Sequence, residues 1–213
     1  MTRRSYGQFC GLALTLDHVG DRWTLLIVRE LLIGPRGYAE LRDALPGIAS
    51  NLLAERLRRL ESDGLVRRGA SDSRRPRYEL TDTGQELEEA IMALARWGGN
   101  WISEATPELA FRAEWLLLAI RALLPEATGD LPVIELRVGD GAVHLRGRGK
   151  AIEVASGPAD RPDIVVTADP YTVLGVAAGR LSLVDAVALG RAEVVGDKKT
   201  LRSASVALRA GRS

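Results

Sequence analysis

Between Val66 and Gly84 the chain reads VRRGASDSRRPRYELTDTG, and five of the eleven residues from Arg67 to Arg77 are arginine, against one acid, Asp72. Guanidinium groups at this density suit one partner chemistry above others. The planar fork donates parallel hydrogen bonds to two oxygens of a phosphate. Each phosphate neutralised in duplex DNA also releases condensed counterions, which makes affinity depend steeply on salt. An isolated arginine-rich turn is more often a plain solvated loop, so the elements around it have to decide.

Other chemistry finds little to work with. The single cysteine, Cys10, excludes an internal disulfide framework and fits a reducing compartment. The two histidines, His18 and His144, lie far apart, so no metal-ligand spacing and no metal site is expected. There is no phosphate-cradling glycine loop, no G-x-S-x-G and no His-Glu-x-x-His. No catalytic residues, no cofactor and no enzyme activity are expected. The richest apolar run, WLLLAI, stops at Arg121, well short of the about 20 residues a membrane helix needs. The N-terminus is basic but is broken by Asp17, His18 and Asp21 before any clean apolar core. A cytoplasmic protein without membrane partners is expected. Net charge is +1, and residues 1–110 carry 15 basic and 16 acidic side chains. Bulk charge is therefore silent about nucleic acid, and only local placement can speak.

That placement follows from the hydrophobic periods. DRWTLLIVRELLI repeats apolar residues at near-helical steps and stops at Gly34-Pro35. YAELRDAL is a shorter helix ending at Pro46-Gly47. In IASNLLAERLRRLESDGLVRR, Leu53, Leu57 and Leu60 form one stripe; Ser50 or Asn51 is expected as the cap and Gly64 as the left-handed stop. Asn51, Glu55, Arg58 and Ser62 then fall opposite the leucines, with Arg59 nearby, on a polar side suited to a groove one helix wide. Tyr78 and Leu80 alternate with Arg77 and Glu79 as in a half-buried strand. A further helix, capped by Thr81 or Asp82, carries Leu87, Ile91 and Leu94 down one side to Trp97 and Trp101. Helix, turn, helix, basic hairpin, helix is the winged form of the helix-turn-helix, and the arginine loop is its wing.

At this point the stretch from about Tyr6 to Trp101 resembles the HxlR family of bacterial winged-helix transcriptional regulators. The resemblance is carried by Cys10 ahead of a long helix, GDRW (Gly20 to Trp23), LPGI, LLAERLRRLESDGLVRR and YELTDTG. It implies a homodimer joined through the N-terminal helix and the helix after the wing, reading an inverted repeat in double-stranded DNA. It also puts Cys10 where some members carry a redox-sensing cysteine. Such a role needs an exposed thiolate of low pKa. With Phe9 and Gly11 as neighbours and no local base, a buried small residue is the expectation, and redox sensing a side hypothesis.

The second half changes texture. Leu109 to Leu124 reads as a helix apolar around much of its circumference, and Pro125 to Pro132 as a linker. VIELRVGDGAVHLRGRG is a hairpin about Gly139-Asp140-Gly141; AIEVA and DIVVTA are two more strands; PYTVLGVAAG and SLVDAVALG are helices; a short AEVVGD and a last helix follow. Strands first and helices after make an α+β layer. DIVVTADPYTVLGVAAGRLSLVDAVALGRAEVVGD resembles the sterol carrier protein (SCP-type) domain, which implies an apolar tunnel for lipid-like ligands. Leu174, Val176, Leu181, Val184, Val187, Leu189 and Val194 would line it, with Trp115 and Leu116 at one wall; each would be equally at home in a plain core.

The expected fold class is α+β: a winged helix-turn-helix DNA-binding and dimerisation domain over residues 1–105, a connecting apolar helix and linker over 106–128, and an SCP-like domain, a mostly antiparallel sheet covered by helices, over 129–213. The expected function is that of a dimeric DNA-binding transcriptional regulator with an apolar small-molecule effector. Ser50, Asn51, Glu55, Arg58 and Arg59 would face the groove, and Arg67, Arg68, Arg74, Arg75 and Arg77 the phosphates. Glu55 repels phosphate unless it accepts from a cytosine amino group. The ligand-binding residues would be Trp115, Leu116, Leu174, Leu181, Val184 and Val187. Two alternatives stand beside this: a C-terminal domain that is only structural or dimerising, or a lipid-binding protein whose winged helix docks another protein.

Overall fold

The structure is a computed structural model and describes residues 5–69, 76–104, 110–124, 131–148 and 151–207. The chain divides into two compact units, Met1–Ile91 and Met92–Ser213.

The first unit is helical, with one small sheet. It holds α1 (Gly11–Val19), α2 (Thr24–Ile33), β1 (Arg36–Gly37), α3 (Tyr38–Ala44), α4 (Ser50–Ser62), β2 (Val66–Gly69), β3 (Arg77–Leu80), α5 (Asp82–Gln85) and the start of α6 (Leu87–Gly98). The stripes expected on α2, α3 and α4 are met by buried rows: Ile27 and Leu31 on α2, Leu41 on α3, and Leu53, Leu57 and Leu60 on α4 join Val66, Tyr78, Leu80 and Ile91 in one core; of the stripe expected after the wing, Leu94 is exposed. Gly64, at φ +71°, supplies the left-handed stop after α4. The cap at the other end differs from expectation. Ala49 is the N-cap and Ser50 and Asn51 lie inside the first turn, both exposed. The helix also starts under Tyr38, whose hydroxyl donates to the Ser50 carbonyl at 2.6 Å.

The sheet runs β1-β3-β2, antiparallel throughout. β1 was not expected from the sequence. It is two residues long and pairs Arg36 with Tyr78 and Gly37 with Arg77, so its existence depends on a partner forty residues away. The helix expected after the wing is two: α5, capped by Thr81, whose Oγ1 accepts from the Gly84 amide at 3.1 Å, and α6 after a break at Glu86.

The second unit opens with the rest of α6 and a 3-10 turn, Gly99–Glu104. The expected helix from Leu109 begins later, as α7 (Trp115–Leu123); residues 110–114 precede it as coil and turn. The linker expected at Pro125 to Pro132 falls largely outside the described residues. Then come β4 (Ile134–Val138), β5 (Gly141–Arg148), β6 (Ala151–Ser156), β7 (Ile164–Ala168), α8 (Pro170–Ala177), α9 (Leu183–Ala188), β8 (Ala192–Val195) and α10 (Lys198–Ala207). The sheet order is β6-β5-β4-β7-β8; β4 and β7 pair in parallel and the other neighbours antiparallel. Ile134, Leu136 and Val138 of β4 are buried with Ile164 and Val166 of β7 and Val143 and Leu145 of β5. Helices α8 and α9 start on side-chain caps, Asp169 accepting from the Thr172 amide and Ser182 from that of Asp185. Burial opposes ionisation of Asp169, but the hydroxyl and amide of Thr172 outweigh it and hold the carboxyl below its ordinary range.

Gly84 marks the tightest joint in the first unit. A Cβ there would stand 2.0 Å from the Leu65 carbonyl oxygen and 3.1 Å from a Leu80 methyl. The neighbour is backbone and cannot swing away, so Gly84→Ala is expected to destabilise the first unit by about 1–3 kcal/mol, as overpacking does. Urea unfolding of the full chain checks this; an unshifted first transition would show that the turn has slack.

Candidate nucleic-acid interface

Burying Leu53, Leu57 and Leu60 turns the opposite side of α4 outward. Ser50, Asn51, Glu55, Arg58 and Ser62 are all exposed along it. These are the residues expected on that side, and the structure brings them into one row.

Arg59 is placed differently. It sits between the two sides, partly buried, and turns toward the α1–α2 junction. Its Nη1 donates to the Asp21 carboxylate and its Nη2 to the Asp17 carbonyl. Arg56 does likewise one turn earlier. Its Nε donates to the Arg22 carbonyl at 3.3 Å, and its Nη1 lies 3.0 Å from Glu55 Oε1 and 3.7 Å from Asp21 Oδ2. At the far end of the helix, His18 Nδ1 meets Asp63 Oδ2 at 3.0 Å. The sequence reading missed this set. Its only local sign is an arginine at every third position, 56 and 59, beside the acidic turn at Asp21.

The wing arginines fall in two classes. Arg74 and Arg75, with the hairpin tip, lie outside the described residues. Arg67, Arg68 and Arg77 stand at the base of the hairpin, each against an acid. Arg67 Nε donates to Glu79 at 2.7 Å, directly across the strand pair. Arg68 Nε donates to Glu61 of α4 at 2.8 Å, with its guanidinium 5.7 Å from the centre of the Tyr78 ring. Arg77 Nη2 lies 3.0 Å from Glu40 of α3 and also donates to the Pro35 carbonyl. The Glu40 carboxyl is held below its ordinary range chiefly by the Gly37 amide, which outweighs burial, with the Arg77 charge assisting. These pairs are solvent-facing and weak.

Cys10 corrects an expectation. It is exposed, at the position before α1, and not a buried small residue. The amides of Ala13 and Leu12 hold its thiol below the usual range, the work of a helix start and not of a neighbouring base. Beside it Phe9, Leu12 and Leu16 are exposed apolar side chains, and so, in the second unit, are Leu94, Trp97 and Trp101. The two tryptophan rings stand edge to face, 4.5 Å apart.

The second unit contains an apolar cavity between the sheet and α7, α8 and α9. Its lining includes Leu136, Leu145, Val166, Thr172, Val176 and Leu183, together with Ala168, Ala177 and Ala192. Of the residues expected to line a tunnel, Val176 does so. Trp115, Leu116, Leu174, Leu181, Val184 and Val187 are not in its wall. Leu116 is buried, whereas Val184 is exposed on the outer side of α9. The wall is built mainly from leucines, isoleucine and valines of α7, the sheet and α8, with Leu183 of α9. The room is slight, about 20 Å³ for the centre of a water-sized molecule, roughly what one water needs.

Among the described residues no group of three or more His, Cys, Asp or Glu side chains could hold a metal ion, and no helix is long and apolar enough to cross a membrane.

Residues 18–106 match the family model described as HxlR-like helix-turn-helix. Over 104 residues the chain is 34% identical to the uncharacterized HTH-type transcriptional regulator sll1512 of Synechocystis sp., an alignment covering 48% of this chain and 77% of that one. It is 41% identical over 104 residues to the HTH-type transcriptional regulator Rv3095 of Mycobacterium tuberculosis, covering 48% of this chain and 64% of the relative. With YkvN of Bacillus subtilis, also an HTH-type transcriptional regulator, identity is 32% over 101 residues, covering 46% and 86%. These relatives are named as HTH-type transcriptional regulators, and the family match falls on the segment that holds α4 and its sheet. The chain belongs to the HxlR-like helix-turn-helix family of transcriptional regulators.

Proposed function

We propose that the protein is a homodimeric DNA-binding regulator that reads an inverted repeat, with α4 in the major groove and the wing on the flanking backbone. The observation that carries this reading is the exposed row Ser50, Asn51, Glu55, Arg58 and Ser62, flanked by an arginine-dense hairpin. Asn51 in the first turn of α4 has the amide that pairs with adenine, and Arg58 the fork that pairs with guanine or phosphate. Arg74 and Arg75 at the wing tip and Arg67, Arg68 and Arg77 at its base are the phosphate contacts. Arg59 holds α4 in place and does not touch DNA. Residues 1–105 are the DNA-binding and dimerisation domain, 106–128 the connection and 129–213 a domain of sterol carrier type. Support for the dimer comes from the exposed apolar side chains at Phe9, Leu12 and Leu16 and at Leu94, Trp97 and Trp101, a concentration that monomers seldom leave in water. Support for an apolar effector comes from the apolar wall of the cavity. A ligand larger than a water enters only if the helices over it part. Exposed Cys10, with its lowered thiol, fits an oxidation-sensitive position.

Titration of the protein against its own upstream DNA at several salt concentrations tests the interface. Arg58→Ala is expected either to reduce the slope of log K against log salt by about 0.9, as loss of one phosphate contact does, or to relax preference at one base pair. Arg59→Gln is expected to weaken binding with the slope unchanged. A slope reduced by Arg59→Gln would mean that this arginine leaves Asp21 for a phosphate. Sedimentation velocity of Trp97→Glu tests the dimer: a shift toward monomer is expected, and an unchanged dimer would move the interface elsewhere. Decanoic acid serves as the effector probe. It is expected to raise the melting temperature as ligand linkage requires and to change operator affinity; a flat response in both would leave the second unit a structural domain.

A further inference from the structure

Glu55 is the residue a DNA-reading helix would least be expected to carry. It stands in the middle of the exposed row of α4, four residues after Asn51 and three before Arg58, and its side chain is half exposed. A bare carboxylate there would repel every phosphate on both sides of a groove. It is not bare. Arg56 Nη1 lies 3.0 Å from Glu55 Oε1, although successive residues on a helix do not ordinarily face each other. The contact exists because the Arg56 guanidinium is anchored outside the helix, with its Nε on the Arg22 carbonyl at 3.3 Å and Asp21 Oδ2 at 3.7 Å from Nη1. Arg56 is itself largely buried, its side chain 13% exposed. Arg56, anchored on the turn between α1 and α2 and shared with Asp21, therefore partly compensates the Glu55 charge and occupies one of its oxygens. Among the described residues no hydrogen bond falls on the other, Oε2.

We propose that Glu55 is a specificity-determining residue that selects cytosine at one position of each half-site, through an acceptor that Arg56 holds in place. This rests on the reading of α4 as the groove helix and adds to it the base. An ionised carboxylate accepts and never donates. In the major groove guanine offers O6 and N7 and thymine O4, all acceptors; adenine sets its N6 donor beside its own N7 acceptor; cytosine alone offers N4–H₂ with no acceptor on its own edge. A fixed carboxylate thus disfavours three bases and satisfies the fourth.

The test is selection from a random DNA library by the full-length protein, followed by titration of single-base variants of the selected site, for wild type, Glu55→Ala and Glu55→Gln. Glu55 is exposed, so neither variant threatens the fold. Wild type is expected to prefer cytosine at one fixed position by about fivefold to twentyfold, the lower range for a good base contact. Glu55→Ala is expected to lose that preference while binding random DNA more tightly. Glu55→Gln, now both donor and acceptor, is expected to shift the preference toward adenine, whose N6 and N7 match an amide. Arg56→Gln is expected to blunt the cytosine preference with Glu55 still present. If Glu55→Ala binds all sequences more tightly by one common factor and keeps the wild-type preferences, Glu55 is only a brake on affinity and the proposal fails. If Arg56→Gln keeps the full cytosine preference, the anchoring part fails. If wild type selects no sequence over random DNA, the reading of α4 as a groove helix fails with it.

Discussion

A helix that buries leucines along one side has no choice about which side it offers to water. Leu53, Leu57 and Leu60 of α4 are at most 1% exposed, and the row from Ser50 to Ser62 lies outward as the direct consequence. Apolar burial fixes that rotation only within the width of the stripe. The finer setting comes from Arg59, whose two terminal nitrogens reach Asp21 and the Asp17 carbonyl, and from Arg56 on the Arg22 carbonyl. Both arginines grip the same short turn from positions three residues apart, so α4 can neither roll nor slide without breaking hydrogen bonds that are partly shielded from water. Every other feature of the interface is measured from this helix.

The wing shows the same economy of charge. Its base arginines meet acids from three different elements: Glu79 of β3, Glu61 of α4 and Glu40 of α3. A hairpin of four-residue strands is marginal alone. Cross-links to two helices, with the Tyr78 ring under Arg68, orient it against the domain. The carboxylates also keep the arginines from repelling one another in free protein. Because exposed pairs are held weakly, the guanidiniums stay available to a stronger partner. A loop that looks extravagantly basic in sequence is thus balanced at its root, and its net positive charge is left to the tip.

What the sequence made legible is what depends on neighbours within a helical turn or a strand. The leucine stripe, the Gly64 stop, the Thr81 cap and the hairpin at Gly139-Asp140 all have local causes and stand where periodicity and turn chemistry put them. The exposed residues of α4 follow from the same stripe. What was not legible depends on distant partners. β1 exists only because Tyr78 and Arg77 lie beside it. The parallel pairing of β4 with β7 is likewise invisible to alternation, since Ile164 and Val166 would alternate equally well beside β6. Arg59 lies on the boundary of the helical wheel, where only the presence of Asp21 decides between protein and solvent. The cavity wall draws on α7, the sheet and two further helices at once, and no local pattern tells which of their apolar residues face it. Glu135 is buried in the middle of a strand, accepting from Arg137 at 2.7 Å and from the Ala159 amide at 2.9 Å. Arg137 lies two residues along on the same face of the strand, but the second partner, Ala159, arrives from more than twenty residues away.

Asp17 joins two of these levels. Its carboxylate accepts from the Ser5 hydroxyl at 2.7 Å and from the Tyr6 amide at 2.9 Å, while its backbone carbonyl accepts from Arg59. One residue of α1 therefore holds the segment leading to Cys10 on one side and the groove helix on the other. At the end of α1, His18 reaches Asp63 beyond the last turn of α4. The last turn of α1 is thus tied to the end of α4 through Asp17 and His18. In the proposed dimer, where α1 is part of the contact between copies, that tie makes the separation of the two groove helices a property of the dimer contact itself.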